Sequence, residues 1–171
     1  WLAAVGTAFP DVDETPSGSW IKVGTSGDKN YTEDGVTVSH SQSVEVFRGA
    51  GTTGPRKAWR TEEDLTIGVS LADLSPAQYA QALNNAAVTT VAAGSGTPGT
   101  KRFDLQQGLE VEAYALLARG LSSVDEALAA QYEVPVCYQS GSPEVSYTKG
   151  SAAVLELEFT AIEDASSGFG V

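Results

Sequence analysis

Apolar and polar residues alternate most cleanly in two places. Leu65, Ile67, Val69 and Leu71 are interleaved with Thr66, Gly68 and Ser70, and Leu155, Leu157 and Phe159 are interleaved with Glu156 and Glu158. A period of two puts each apolar set on one face of a sheet, so both segments read as strands buried on one side. Counting these as Leu65–Leu71 and Val154–Ile162, the pattern predicts further strands at Ser19–Gly24, Gly35–Arg48, Val88–Ala92, Leu109–Leu117, Tyr132–Tyr138 and Glu144–Tyr147. Clusters of Gly, Pro, Ser and Thr separate them, which is the pattern of a mainly β sandwich or barrel.

One short helix interrupts this pattern. After Leu71, Ser75 stands in N-cap position, Pro76 suits the first helical turn, and Gln78 completes a capping box in which each side chain satisfies an orphaned backbone amide. Tyr79 and Leu83 give the helix an apolar stripe, and Asn84-Asn85 suits a left-handed stop. Val124–Ala130 (VDEALAA) also has helical character. Three connections exceed hairpin length, at Gly24–Gly35, Gly49–Arg56 and Gly94–Lys101, and long connections on a β scaffold tend to be where contacts are made. The Ser- and Gly-rich segment 164–171, with Phe169 alone among small residues, reads as an arm that docks on a neighbour.

Composition narrows the functions open to such a chain. With 171 residues and 42% hydrophobic content, one domain spanning 1–171 can bury a single core. A net charge of -12, spread over both halves, argues against binding nucleic acid or anionic membrane, which requires Lys and Arg. No run approaches the roughly 20 apolar residues of a membrane span, and the reading is a soluble protein. The chain contains no Met and begins at Trp1, so at least an initiator residue is expected to precede it. The single cysteine, Cys137, lies in VPVCY and reads as a small buried hydrophobe that forms no intrachain disulfide.

Catalytic and cofactor patterns fail on their spacing. Gly94-Ser-Gly-Thr-Pro-Gly99 matches G-x-G-x-x-G, but Thr100 stands where a phosphate loop needs Lys, and no helix opens after Gly99. Asp28–Ser39 begins like a calcium loop, yet Glu33 replaces the turn glycine and Ser39 the bidentate Glu. His40 is the only histidine and reads as a strand residue, and no Gly-x-Ser-x-Gly elbow presents a nucleophile. Glu110 with Glu112, and Glu156 with Glu158, sit two apart. Each pair is expected to project from one strand face while Leu109, Val111 and Ala113, or Leu155, Leu157 and Phe159, face the core. No apolar cleft is expected beside them to raise a carboxyl pKa, so they read as an acidic wall rather than a glycosidase pair. No enzymatic activity, cofactor or metal is expected.

Several segments in order carry a resemblance. Ser19-Trp20-Ile21-Lys22-Val23-Gly24 is followed by Glu63-Asp64-Leu65 into a strand, Leu71-Ala-Asp-Leu-Ser-Pro76 and Tyr79-Ala-Gln-Ala-Leu-Asn84. Gln131-Tyr-Glu-Val-Pro135, Pro143-Glu-Val145, Lys149-Gly150 and Leu155-Glu-Leu-Glu-Phe159 complete the set, which covers most of the chain. In this order they resemble the major tail tube proteins of long-tailed bacterial viruses. The resemblance implies a β-sandwich or barrel-like tail tube fold with one short flanking helix. It further implies homohexameric rings that stack into a tube, assembled in the host cytoplasm and located in the virion tail. Implied partners are other copies of the chain, a tape-measure protein, a tail terminator and distal tail proteins, while double-stranded DNA passes through without specific binding. On that reading Glu110, Glu112, Glu156 and Glu158 line the lumen, and Asp28, Lys29, Tyr31, Arg56 and Lys57 contact the next ring. A tube component of a type VI-like secretion system, and a capsid decoration or adhesin-like module, are the alternatives.

Overall fold

The computed structural model describes residues 1–24, 31–72, 74–145, 147, 149, 150 and 152–171. The chain is mainly β, with one short helix, as the alternation predicts. Strands β1 (Leu2–Ala4), β2 (Tyr31–Phe47), β3 (Lys57–Leu71), β6 (Ala113–Leu121), β7 (Ala129–Gln139) and β8 (Leu155–Ala161) form one antiparallel sheet in the order β1-β6-β7-β8-β3-β2. Strands β4 (Thr89–Val91) and β5 (Thr100–Arg102) form a separate hairpin, and helix α1 spans Pro76–Ala82.

The large sheet rolls on itself. Ile67 and Leu65 of β3 line a common interior with Leu116 of β6, Val134 and Cys137 of β7 and Phe159 of β8, although β3 and β6 are three places apart in the sheet order. Leu71, Leu155 and Leu157 complete this core, all essentially without solvent exposure. Ala3, Trp20, Ala115 and Leu117 form a smaller cluster, where Phe9 packs on Trp20 with the rings tilted by 38° and their centres 5.2 Å apart. The segment that crosses there is pinned by polar contacts: Arg119 donates to the carbonyl oxygens of Asp11 (2.8 Å) and Glu14, and Gln131 donates to that of Pro10 (2.9 Å).

Several expected elements change. Ser19–Gly24 forms no strand and contributes a single bridge from Ile21 to Leu2. The described residues of Glu144–Tyr147 form no strand, and Ser146 lies outside the described residues. Val124–Ala130 is not helical. Ser122 donates to the Leu128 carbonyl at 2.8 Å, Asp125 accepts from the Ala127 amide at 2.9 Å, and the turn so formed leads directly into β7. Helix α1 starts at Pro76 with Ser75 accepting from the Gln78 amide at 3.3 Å. The return half of the capping box is not made, because the buried Gln78 Oε1 finds no partner. Asn84 and Asn85 do take left-handed conformations, at φ 58° and 56°.

The segment 164–171 folds back on the chain's own β7. Val171 and Glu133 exchange backbone hydrogen bonds, and Phe169 packs against the main core. Gly170, at φ 114°, lies so close to the Glu133 carbonyl that a Cβ there would stand 1.8 Å from its oxygen, so only glycine fits.

Candidate assembly surface

The sequence places the start of β3 at Leu65, but the strand begins eight residues earlier, at Lys57, and pairs with β2 along the whole of that extension. The result is a two-stranded arm in which Ser39–Phe47 and Lys57–Asp64 are exposed throughout. Nine residues of extended chain reach about 30 Å. Arg56 donates its amide to the Phe47 carbonyl at 2.8 Å, and Arg48 reaches the Thr53 carbonyl at 2.6 Å, so the predicted long loop Gly49–Arg56 is the tip of this arm.

Register fixes which side chain lies on which face. Val44 opposes Arg60 and Val46 opposes Ala58, while Glu45 opposes Trp59 and Phe47 opposes Lys57; a bulge at Thr61 keeps the faces in step with the core. The face continuous with the core therefore carries Val44, Val46 and Ala58 beyond a polar cluster. In that cluster Arg60 donates to Gln42 and pairs with Glu63, both at 2.9 Å. The opposite face carries Phe47 and Trp59, with the Lys57 ammonium 5.2 Å from the Trp59 ring centre. Val44, Val46, Phe47 and Trp59 are between 44% and 53% exposed. A two-stranded ribbon with apolar groups on both faces has no core of its own.

The acidic wall survives in part. Glu156 and Glu158 project outward from β8, with Leu155, Leu157 and Phe159 buried behind them. They pair with Ser70 and Gly68 of β3, so the same outward face runs into the arm through Asp64 and Glu62. There Asp64 accepts from Ser41 at 3.5 Å and Glu62 from Ser43 at 3.1 Å. Glu62 and Asp64 thus join Glu156 and Glu158, an association invisible without the strand pairing.

Glu110 and Glu112 do not belong to it. Residues 109–112 precede β6 and form no strand, and Leu109 and Val111, expected in the core, are 102% and 62% exposed. The segment is held instead by Asn84. Its side chain donates to the carbonyls of Gln107 (2.9 Å) and Glu110 (2.7 Å) and accepts from the Glu112 amide (2.7 Å). A local alternation was present, but these backbone groups pair with a side chain and not with a neighbouring strand.

Of the residues expected to contact a next ring, Asp28 and Lys29 lie outside the described residues, as does the side chain of Tyr31, whose backbone starts β2 opposite Leu71. Arg56 and Lys57 lie together at the base of the arm tip. Of the predicted loop Gly94–Lys101, Gly94–Gly99 lies in the turn of the β4–β5 hairpin, with reciprocal backbone bonds between Gly94 and Thr97, and Thr100 and Lys101 already belong to β5. Cys137 is buried, and burial pushes its thiol up to about 12. His40 is exposed on β2 opposite Leu65. No described helix is long and apolar enough to cross a membrane. No protein-family model and no curated protein matches the chain.

Proposed function

We propose that this chain is a non-enzymatic structural subunit that assembles with copies of itself into stacked hexameric rings, forming a tail tube through which DNA passes. The observation that carries the reading is the arm: about 30 Å of paired strand with apolar side chains on both faces and nothing among the described residues covering either. Such a ribbon is unstable as a free element and is suited to packing against another subunit.

Magnitudes favour a polymer over a simple dimer. Burying the remaining exposed half of four apolar side chains supplies roughly 1 kcal/mol each. The total, about 4 kcal/mol, only reaches the low end of the 4–15 kcal/mol cost of association. One arm contact does not hold a pair together, but ring closure and stacking give each subunit several contacts at once. Assembly is therefore steep in concentration.

The outward row Glu62, Asp64, Glu156 and Glu158 is assigned to the lumen, and Glu110 and Glu112 are withdrawn from it. A single carboxylate about 10 Å from a phosphate repels it by only about 0.4 kcal/mol in water. Repetition around and along a tube makes the wall non-adhesive, whereas Lys at the same positions would retard a polyanion. Sedimentation and negative-stain imaging across a concentration series test the tube reading itself. Tubes above a threshold concentration support it, and a monomer at every concentration, with or without nucleating tail components, removes it.

A further inference from the structure

A cleft of about 450 Å³ opens in the rolled sheet between Val36 and Val38 of β2 and the end of β6 with the start of β7, where Ala118, Leu121 and Tyr132 line it. The sheet order leaves an edge free on each side. β2 is the last strand, and β1 covers β6 only from Tyr114 to Leu116, with two further hydrogen bonds exchanged between Leu117 and Trp1. Beyond Leu117, β6 has β7 on one side and no strand on the other among the described residues. The cleft therefore offers apolar walls and unpaired backbone edges, the two things an added strand satisfies. Its rim also holds a cation. Arg119 gives its hydrogen bonds to neutral oxygens of Gln131, Asp11 and Glu14, and among the described residues Arg60–Glu63 is the sole ion pair.

We infer that this cleft receives the β2–β3 arm of a second copy of the chain. The arm is the complement in each respect: it is an extended ribbon with free outer edges, it presents Val44, Val46 and Ala58 on one face, and on that same face it carries Glu63 toward a rim whose charge is Arg119. The arm cannot fill the cleft of its own copy. Val38 is part of the cleft wall, and Val46 lies eight residues further along the same strand, about 26 Å away. Each copy thus has one arm and one cleft that cannot meet each other. A contact of this kind is heterologous, and it propagates into a ring or a filament instead of ending at a dimer.

The inference deepens the tube reading and rests on it, so the test separates the two. Val46→Cys and Leu121→Cys are introduced in separate full-length chains; both positions are exposed, and the native Cys137 is buried. The two proteins are mixed at a concentration where the unsubstituted chain sediments as polymer, then oxidised. The expected result is a reducible heterodimer, and a ladder of higher species when both substitutions are in one chain. Val46→Cys mixed with Leu105→Cys, exposed but outside the cleft, should give neither. Because register along the arm sets which residue meets the cleft, Val44→Cys and Tyr132→Cys are combined in the same way. Polymer formation with none of these pairs cross-linking overturns the arm-in-cleft contact while leaving the tube reading in place. Absence of polymer together with a specific cross-link upholds the contact and removes the tube. Absence of both removes both.

Discussion

Single side chains in this protein do work that neither alternation nor propensity reveals. Asn84 is the clearest case, because it combines a left-handed backbone at φ 58° with three hydrogen bonds to the backbone of residues 107–112. Asn84→Ala loses the bonds and strains the backbone, and about 2 kcal/mol of destabilisation is expected, a fall in Tm of roughly 4–8 °C for a chain this size. Asn84→Gly keeps the conformation and should recover part of that loss, which thermal unfolding of the two variants checks. Asp164 is the acid-sensitive residue. Hydrogen bonds from the Ser166 and Ser167 side chains and amides hold its carboxyl below the usual range. A depressed carboxylate stabilises above its unfolded pKa and loses that contribution as pH falls through its folded one. The turn at 164–168 should therefore loosen in acid, with faster amide exchange at Ser166 and Ser167. Asp164→Asn should remove the pH dependence of that exchange. The sequence offers no cue for Asn84's reach, because its partners lie 23 to 28 residues away.

At the level of elements, legibility followed burial. β8 and the inner half of β3 were readable because one face is buried and the other is not, which makes period two visible. The outer half of β3, KAWRTEED, reads as a charged patch because neither of its faces is buried, so no period exists to detect. At Leu109–Ala113 the opposite happened: the period was present, but among the described residues no strand pairs with residues 109–112. Likewise Ala129 and Ala130, helical by composition, are strand because they pair with Leu121 and Gly120. The cap was legible from its residue types alone, and Ser75→Ala should cost about 1 kcal/mol, seen as a Tm decrease of about 2–4 °C. The arm makes the opposite prediction. Replacing residues 44–61 with a two-residue Asn-Gly turn keeps the inner pairings from Val36–Val69 to Ser43–Glu62. Circular dichroism should remain strand-rich and Tm nearly unchanged, while sedimentation finds no polymer. Loss of fold in this variant would mean that the arm belongs to the core.

For the whole molecule, the account rests on an imbalance. The interior is closed by a rolled sheet around Leu71, Leu155 and Leu157, yet among the described residues nothing covers a long ribbon with apolar groups on both faces or a lined cleft. An acidic balance of -12 keeps separate subunits and DNA apart, so assembly should strengthen as salt screens the repulsion. On the proposed function the acidic row bears on transport, not on assembly. Changing Glu62, Asp64, Glu156 and Glu158 to the corresponding amides should leave polymer formation intact, and changing them to Lys should create salt-sensitive retention of double-stranded DNA on preformed polymer, read by co-sedimentation. Retention unchanged in low salt would place these residues on the outer wall. The central claim, self-assembly into a hollow tube, is tested most directly by negative-stain electron microscopy of the purified chain at rising concentration and moderate salt. The account predicts hollow tubes of uniform diameter with a regular axial repeat, appearing above a threshold concentration. A monodisperse monomer throughout, or aggregates without a lumen, would contradict it.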